Sequence, residues 1–253
     1  MKFYSLASGS SGNCFLVDNG NYKILIDVGI TYAQIKQKLE SLGYDIDNID
    51  FILITHTHND HIKSLNSFSM KKVYSAVKVP GLINCVSYNE EISLGNYKIN
   101  SFPLSHDVEC CGYKILSDNE SLVYLTDTGY VNYKVMPHLK NATYYIFESN
   151  HDINMLMNSK RPSFLKTRIL SDVGHLSNED ASEILVNSIG EKTEEIYLAH
   201  ISRDCNTKEL AYNRLIKTFE DKNYQYNHLK IKTLDKEEIL QGGHLDEKNC
   251  LAI

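Results

Sequence analysis

Apolar positions along this chain fall into short, nearly continuous runs separated by polar turns, at residues 3–6, 14–17, 23–27, 51–55, 97–102, 112–116, 122–126, 143–147 and 195–199. Runs this short and this rich in Ile, Val, Tyr and Phe predict β-strands. Between several of them the apolar spacing becomes helical. Thr31 reads as the N-cap of a helix with Ile35, Leu39 and Leu42 on one face. Ser177 with Asp180 resembles a capping box ahead of Ile184 and Leu185, and Asn206 with Glu209 repeats the pattern ahead of Leu210, Leu215 and Ile216. Early strands come in hairpin-like pairs and later ones alternate with helices, which predicts an α/β or mixed α+β class with more than one sheet.

The first hairpin turns through Ser8-Gly-Ser-Ser-Gly-Asn13. It has the glycines of a phosphate-binding loop but no Gly-Lys-Ser/Thr ending, so a chain reversal is the reading its residues support. At 253 residues and 42% hydrophobic, the chain can bury a sizeable core. A single domain over 1–253 is expected, with a peripheral tail around 238–253. No fixed-period repeat or Pro/Gly/Ser linker marks a boundary. No stretch has the length and apolarity to span a bilayer, and the first residues lack a leader's apolar segment; a cytoplasmic protein with no membrane partner is expected. Six cysteines without a CxxC pair fit reduced thiols, with Cys110 and Cys111 as packing residues. The net charge of -6 excludes a broad basic surface, so any nucleic-acid contact must be local or helped by bound cations.

The concentrated chemistry lies where the run Phe51-Ile-Leu-Ile opens into Thr-His-Thr-His-Asn-Asp-His61. Three imidazoles and a carboxylate this close make a poor core segment, because each needs a buried partner. They make a good metal site. In extended chain His56 and His58 project to one side and can grip one ion, while Asp60 and His61, after a turn, reach a second. Further donors follow other strands: His106 in PLSHD, Asp127 in YLTDTG and His200 in IYLAHIS. Strand ends hold such side chains rigidly while loops leave room for substrate.

HxHxDH followed by separate His, Asp and His motifs resembles the metallo-β-lactamase superfamily. The resemblance implies an αββα four-layer sandwich, with His56, His58 and His106 on one ion, Asp60, His61 and His200 on a second, and Asp127 bridging. Asp27 in LIDVG matches the aspartate that orients the metal-binding loop from behind the ligands. The flanking LASGSSGNC, THTHNDHI, SHDVECCGYKI, TDTGY, ESNHD, GHLSNEDA and AHISRDCN are similar to the YycJ/WalJ branch and, beyond it, to tRNA 3′-processing endonucleases. That branch usually has Gly-Leu where this chain has Ser64-Leu65.

The implied activity is a metal-dependent phosphodiesterase, specifically a 5′-to-3′ exonuclease on duplex DNA, in which two divalent ions activate water. Zn or Mn is the expected metal, with Fe and Ni compatible with the same donors. Asp60 would position the attacking water or accept its proton, and His175 would protonate the leaving oxygen, oriented by Glu148. Ser8, Ser10, Ser11 and Asn13 become candidate phosphate contacts. Nucleic acid, DNA foremost, is the expected partner, and no obligate protein partner is evident. No large clamping domain or extended tRNA-gripping arm is expected, since Glu148, His175 and their elements occupy the chain between Asp127 and His200. His138, His151, His228 and His244 match no ligand motif. The alternatives are a small-molecule hydrolase of the same fold (lactonase, thioesterase or β-lactamase type), a regulatory protein with a structural metal, and a redox diiron protein.

Overall fold

The computed structural model describes residues 1–88, 90–235 and 238–245. The strands are β1 (Lys2–Ala7), β2 (Cys14–Asp18), β3 (Lys23–Ile26), β4 (Phe51–Leu53), β5 (Val73–Ser75), β6 (Asn84–Cys85), β7 (Glu91–Leu94), β8 (Tyr97–Leu104), β9 (Cys110–Ser117), β10 (Glu120–Leu125), β11 (Tyr144–Glu148), β12 (Glu195–Ala199), β13 (Lys230–Thr233) and β14 (Leu240–Gly243). The helices are α1 (Tyr32–Ser41), α2 (Asn59–Ile62), α3 (Met136–Leu139), α4 (Ile153–Asn158), α5 (Ser163–Ile169), α6 (Asn178–Ser188) and α7 (Lys208–Asp221). Two seven-stranded mixed sheets result, ordered β14-β1-β2-β3-β4-β5-β6 and β13-β12-β11-β10-β9-β8-β7. Among the described residues no helix is long and apolar enough to cross a membrane. Of the expected tail, Leu240–Gly243 pairs antiparallel with β1, while residues 246–253 lie outside the described residues.

By its internal contacts the chain forms two compact units. The first comprises residues 1–101, 115–120 and 235–253. Its opening hairpin is as expected: β1 and β2 pair antiparallel across the SGSSGN turn, with a bulge between Ser5 and Ala7. From β3 onward the neighbours β3, β4, β5 and β6 run parallel. Asp27 follows β3, and the metal-motif histidines follow β4. The strand predicted to Thr55 stops at Leu53, because the backbone N–H of Thr55 turns to the Asp27 carboxylate.

Helix α1 starts on the expected Thr31 cap, completed by Gln34 into a reciprocal box, and buries Ile35 and Leu39. A backbone ladder ties the SGSSGN turn to the motif: Asn13 N donates to Asp60 O at 2.8 Å, Gly29 N to Asn13 O at 2.8 Å and Val28 N to His61 O at 2.8 Å. Ser64, at the branch's usual glycine, joins the same ladder by donating its hydroxyl to Val28 O at 3.0 Å.

The second unit comprises residues 102–114 and 121–234. Its strands β10, β11, β12 and β13 are parallel neighbours, and β10 to β12 read as the continuous apolar runs that a sheet covered on both faces requires. Tyr145, Phe147, Leu185, Leu215 and Phe219 build its core. Ser177 caps α6 as expected by accepting from Asp180 N, and its hydroxyl also donates to the Asp180 carboxylate. For α7 the cap is Thr207, not Asn206: Thr207 Oγ1 accepts from Leu210 N at 3.1 Å. Asn206 is drawn inward instead, its amide exchanging hydrogen bonds of 2.8 and 2.9 Å with the buried Asn178 amide. The helix rotates accordingly, so Leu210 is exposed while Ala211, Leu215 and Phe219 are buried. Cys110 and Cys111 are buried packing residues, and all five described cysteines are free thiols; Cys250 lies outside the described residues.

Three candidate site residues share one backbone peculiarity. Asp27 (φ 58°), Asp127 (φ 62°) and His200 (φ 57°) adopt the left-handed conformation just beyond β3, β10 and β12. Each therefore swings out of its strand direction where side chains can converge, at a cost of about 1–3 kcal/mol per residue.

Gly29 is closely hemmed in, since a Cβ there would sit 1.6 Å from Asp60 O and 2.7 Å from Asn13 N. Gly29→Ala is expected to lower the unfolding free energy in urea by about 2–3 kcal/mol or more, because the obstructing atoms are backbone. A variant within about 0.5 kcal/mol of wild type would show that the ladder yields freely.

Candidate active site

In each unit a fully buried carboxylate collects the imidazoles. In the first it is Asp27, whose oxygens accept from Thr55 N (2.9 Å), Thr55 Oγ1 (2.9 Å) and His61 Nδ1 (2.7 Å). Asn13 sets the other side of the His61 ring. Its Oδ1 accepts from Gly9 N at 3.0 Å, so its NH2 group faces Gly9 O and His61 Nε2, the latter at 2.9 Å. An amide NH2 only donates, so Nε2 carries the lone pair and Nδ1–H points to Asp27. The same counting applies to His56, which lies 3.0 Å from Thr55 Oγ1 through Nδ1. Since the hydroxyl proton goes to Asp27, His56 Nδ1 is the donor and Nε2 the lone pair. That Nε2 lies 3.0 Å from Nδ1 of half-buried His58, so nitrogens of two motif histidines converge. Asp60 Oδ2 stands 3.7 Å from His61 Nε2. Burial pushes the Asp27 carboxyl up, against the opposing pull of His61 and of its hydrogen bonds from Thr55.

Glu148, the last residue of β11, plays this part in the second unit. Its Oε1 accepts from His175 Nδ1 at 2.9 Å and His200 Nδ1 at 2.8 Å, and its Oε2 from Thr128 N at 3.0 Å and Leu176 N at 3.2 Å. Burial pushes this carboxyl up, but His175 and His200 outweigh it and hold it at about 2. Asp127 Oδ1 lies 3.7 Å from His175 Nδ1 and 3.6 Å from His200 Nδ1. One donor atom from each of Asp127, Glu148, His175 and His200 falls within 4.8 Å of the others. With both oxygens engaged in hydrogen bonds, Glu148 acts as an orienting carboxylate, turning the Nε2 atoms of His175 and His200 away from itself. His106 Nδ1 donates to Gly174 O at 3.2 Å, and burial, opposed by Asp127, pushes this imidazole's pKa down. Neutral imidazoles with oriented lone pairs and carboxylate oxygens are the donor set that divalent first-row metals take, and the carboxylate-backed histidine is a recurrent support for such ligands.

Comparison with known proteins decides the family. Residues 7–95 match the metallo-β-lactamase superfamily. A protein of Streptococcus pneumoniae serotype 2 named exodeoxyribonuclease WalJ is 36% identical over 233 residues, covering 85% of this chain and 87% of its own. The chain belongs to the metallo-β-lactamase superfamily, in its YycJ/WalJ branch. A Bacillus anthracis protein named exodeoxyribonuclease YycJ is likewise 36% identical over 240 residues, 88% of this chain and 91% of its own. In fold, this metallo-β-lactamase relative is similar to the crystal structure of YhfI, a metallo-β-lactamase fold protein from Bacillus subtilis, with a TM-score of 0.68 at 16% identity over 95% and 99% of the two chains. The two mixed sheets with flanking helices are those of the expected superfamily fold.

Several residues that shape this site carried no signal by type. Thr55 links Asp27 to His56, and Thr128 and Leu176 act through backbone N–H groups. Asn150 donates to His200 O at 2.9 Å and anchors that turn to β11. Thr55 borders HTHNDH and Asn150 lies within ESNHD, so adjacency to a motif was the available clue. Of the turn residues, Asn13 contacts His61, Ser8 is buried, and Ser10 and Ser11 are exposed. His138 is half-buried on Phe102, and His228 and His244 are exposed.

His151 is a core histidine: both ring nitrogens are buried without a hydrogen-bond partner, and burial pushes its pKa down to about 4. It is neutral in the fold and protonates in the unfolded chain below about pH 6.5. The unfolded state thus binds the extra proton, and the stability this group supports is complete above about pH 6.5 and is lost as pH falls toward 4. Between pH 7 and pH 5 wild type should lose about 2 kcal/mol of unfolding free energy through His151, a loss that His151→Leu should not show. Equal losses in the two proteins by urea titration would remove His151 from the acid response.

Proposed function

We propose that the chain is a metal-dependent phosphodiesterase acting on nucleic acid, with duplex DNA degraded from the 5′ end as its specific reaction. The observation that carries the reading is the 2.9 Å hydrogen bond from His175 Nδ1 to fully buried Glu148, which turns the half-buried Nε2 of His175 outward as a proton donor. The identity to two exodeoxyribonucleases along most of the chain supports the substrate class.

By the family's motif order alone, His56, His58 and His106 would hold one ion and Asp60, His61 and His200 a second, with Asp127 shared; Zn or Mn would suit these donors, as would Fe and Ni. Bound divalent ions supply the Lewis acidity that activates water and polarises the phosphoryl oxygens. The residues do the rest. Asp60 accepts the attacking water's proton, and Asp27 keeps Nε2 of His61 presented. Glu148 steadies protonated His175, whose Nε2–H passes to the departing oxygen. Ser10 and Ser11 offer exposed hydroxyls to a phosphate beside Asn13.

Metal-stripped protein resupplied with Mn²⁺ or Zn²⁺ should cleave 5′-phosphorylated duplex DNA and bis-p-nitrophenyl phosphate. Turnover of a chromogenic lactam or a thioester, with no phosphodiester cleaved under any metal, would sink the reading. Asp127→Ala should lose bound metal. His175→Ala should keep it yet lose about 10²- to 10⁴-fold in kcat on DNA, and much less on bis-p-nitrophenyl phosphate, whose nitrophenolate departs without a proton. Equal losses on both substrates would deny His175 the general-acid role.

Replacing Ser10 and Ser11 together with Ala should raise KM for DNA without releasing metal. An unchanged KM would leave the turn a hairpin and nothing more.

A further inference from the structure

The segment between Glu148 and His175 departs from the rest of the chain in both charge and exposure. Residues 153–173 carry Lys160, Arg161, Lys166 and Arg168 against Asp172 alone, a local +3 in a chain of net -6. The same residues, α4 and α5 with their connections, leave Phe164 76% and Met157 54% exposed, with Leu170 and Val173 exposed beside them. Leu156, Ile169 and partly buried Leu165 turn inward, against Cys205. A surface that is both cationic and apolar is complementary to a nucleic-acid strand, which offers phosphates and aromatic base faces together.

This lobe is fixed to the site. His175 N donates to Ile169 O at 3.0 Å, and an Arg168–Asp107 ion pair reaches the residue next to His106. Gly129, in the Asp127 loop, lies so close that a Cβ there would meet Ser171 O at 2.1 Å. The following residue, Tyr130, is 47% exposed. On the lobe itself, Asp204 pairs with Arg161 at 2.8 Å, Asp107 with Arg168, and Lys166 Nζ donates to Met157 O at 2.6 Å. Each guanidinium keeps further donors, and Lys160 is exposed.

We propose that the α4–α5 lobe with Tyr130 is the platform that holds the unpaired end of the nucleic-acid strand beside the cut. Lys160, Lys166 and Arg168 take phosphates, and Phe164 and Tyr130 stack on bases. The inference rests on the phosphodiesterase reading for its place in the reaction, but its binding step is measurable alone.

The test is fluorescence anisotropy of metal-stripped full-length protein with a 5′-phosphorylated duplex bearing a short single-stranded end. Phe164→Ala should weaken binding about 5- to 100-fold, and Tyr130→Ala should act in the same direction. Lys160→Ala with Lys166→Ala should lower the slope of log K against log salt by about 0.7–0.9 for each lysine removed. Lys36→Ala and Lys217→Ala, exposed cations on α1 and α7, should change neither affinity nor slope. Unchanged affinity in the Phe164 and lysine variants, or an equal loss in the α1 and α7 controls, overturns the platform. So does a Phe164-dependent dimer in sedimentation without altered oligonucleotide affinity, which gives the patch to a second copy of the chain. Wild type that binds as described but cleaves no phosphodiester would overturn the catalytic reading and leave the platform standing.

Discussion

A buried carboxylate that accepts the Nδ1–H of a histidine is the interaction on which the candidate site depends in both units. Asp27 holds His61 directly and His56 through the Thr55 hydroxyl; Glu148 holds His175 and His200 on one oxygen. An anion in the interior is costly unless hydrogen bonds replace its hydration, and each of these two has at least three donors around it. The return on that arrangement is orientation. A neutral imidazole has one lone pair, and fixing the proton on Nδ1 commits that lone pair to Nε2.

The scaffold serves this constraint. Parallel strands place their carboxyl ends side by side, so Glu148 closing β11 lies in register with Ala199, and His200 follows at once. Asp127 arrives from the neighbouring β10 by the same logic. In the first unit, β3 and β4 deliver Asp27 and the histidine motif in the same way. Close backbone packing then holds the loops, with Gly29 against Asp60 in one unit and Gly129 against Ser171 in the other.

Much of this was legible in the sequence because the relevant signals were local. An apolar run opening into HTHNDH has no good explanation as core, and strand-end His and Asp residues stood out by position. The strands were readable wherever both faces are buried, since the apolar run is then continuous. Strands β5 and β6, of three and two residues, were too short to leave a pattern. Asn206 and Thr207 are both good caps by type, and the buried amide pairing with Asn178 chose between them. Backbone donors such as Thr128 N and Leu176 N have no sequence signature at all. The α4–α5 lobe was hidden for the opposite reason: its apolar residues face outward, so periodicity alone assigns them to a core they do not join.

The left-handed turns at Asp27, Asp127 and His200 bear on how this chain can change over evolutionary time. At each, the backbone takes a conformation that β-branched residues reject and alanine adopts at a cost. That conformation favours Asp, Asn, His and Gly over other residues, and of these only Asp and His offer a carboxylate or an imidazole. A homologue bearing Asn at position 27 or 127 would preserve the bend while surrendering the carboxylate's charge.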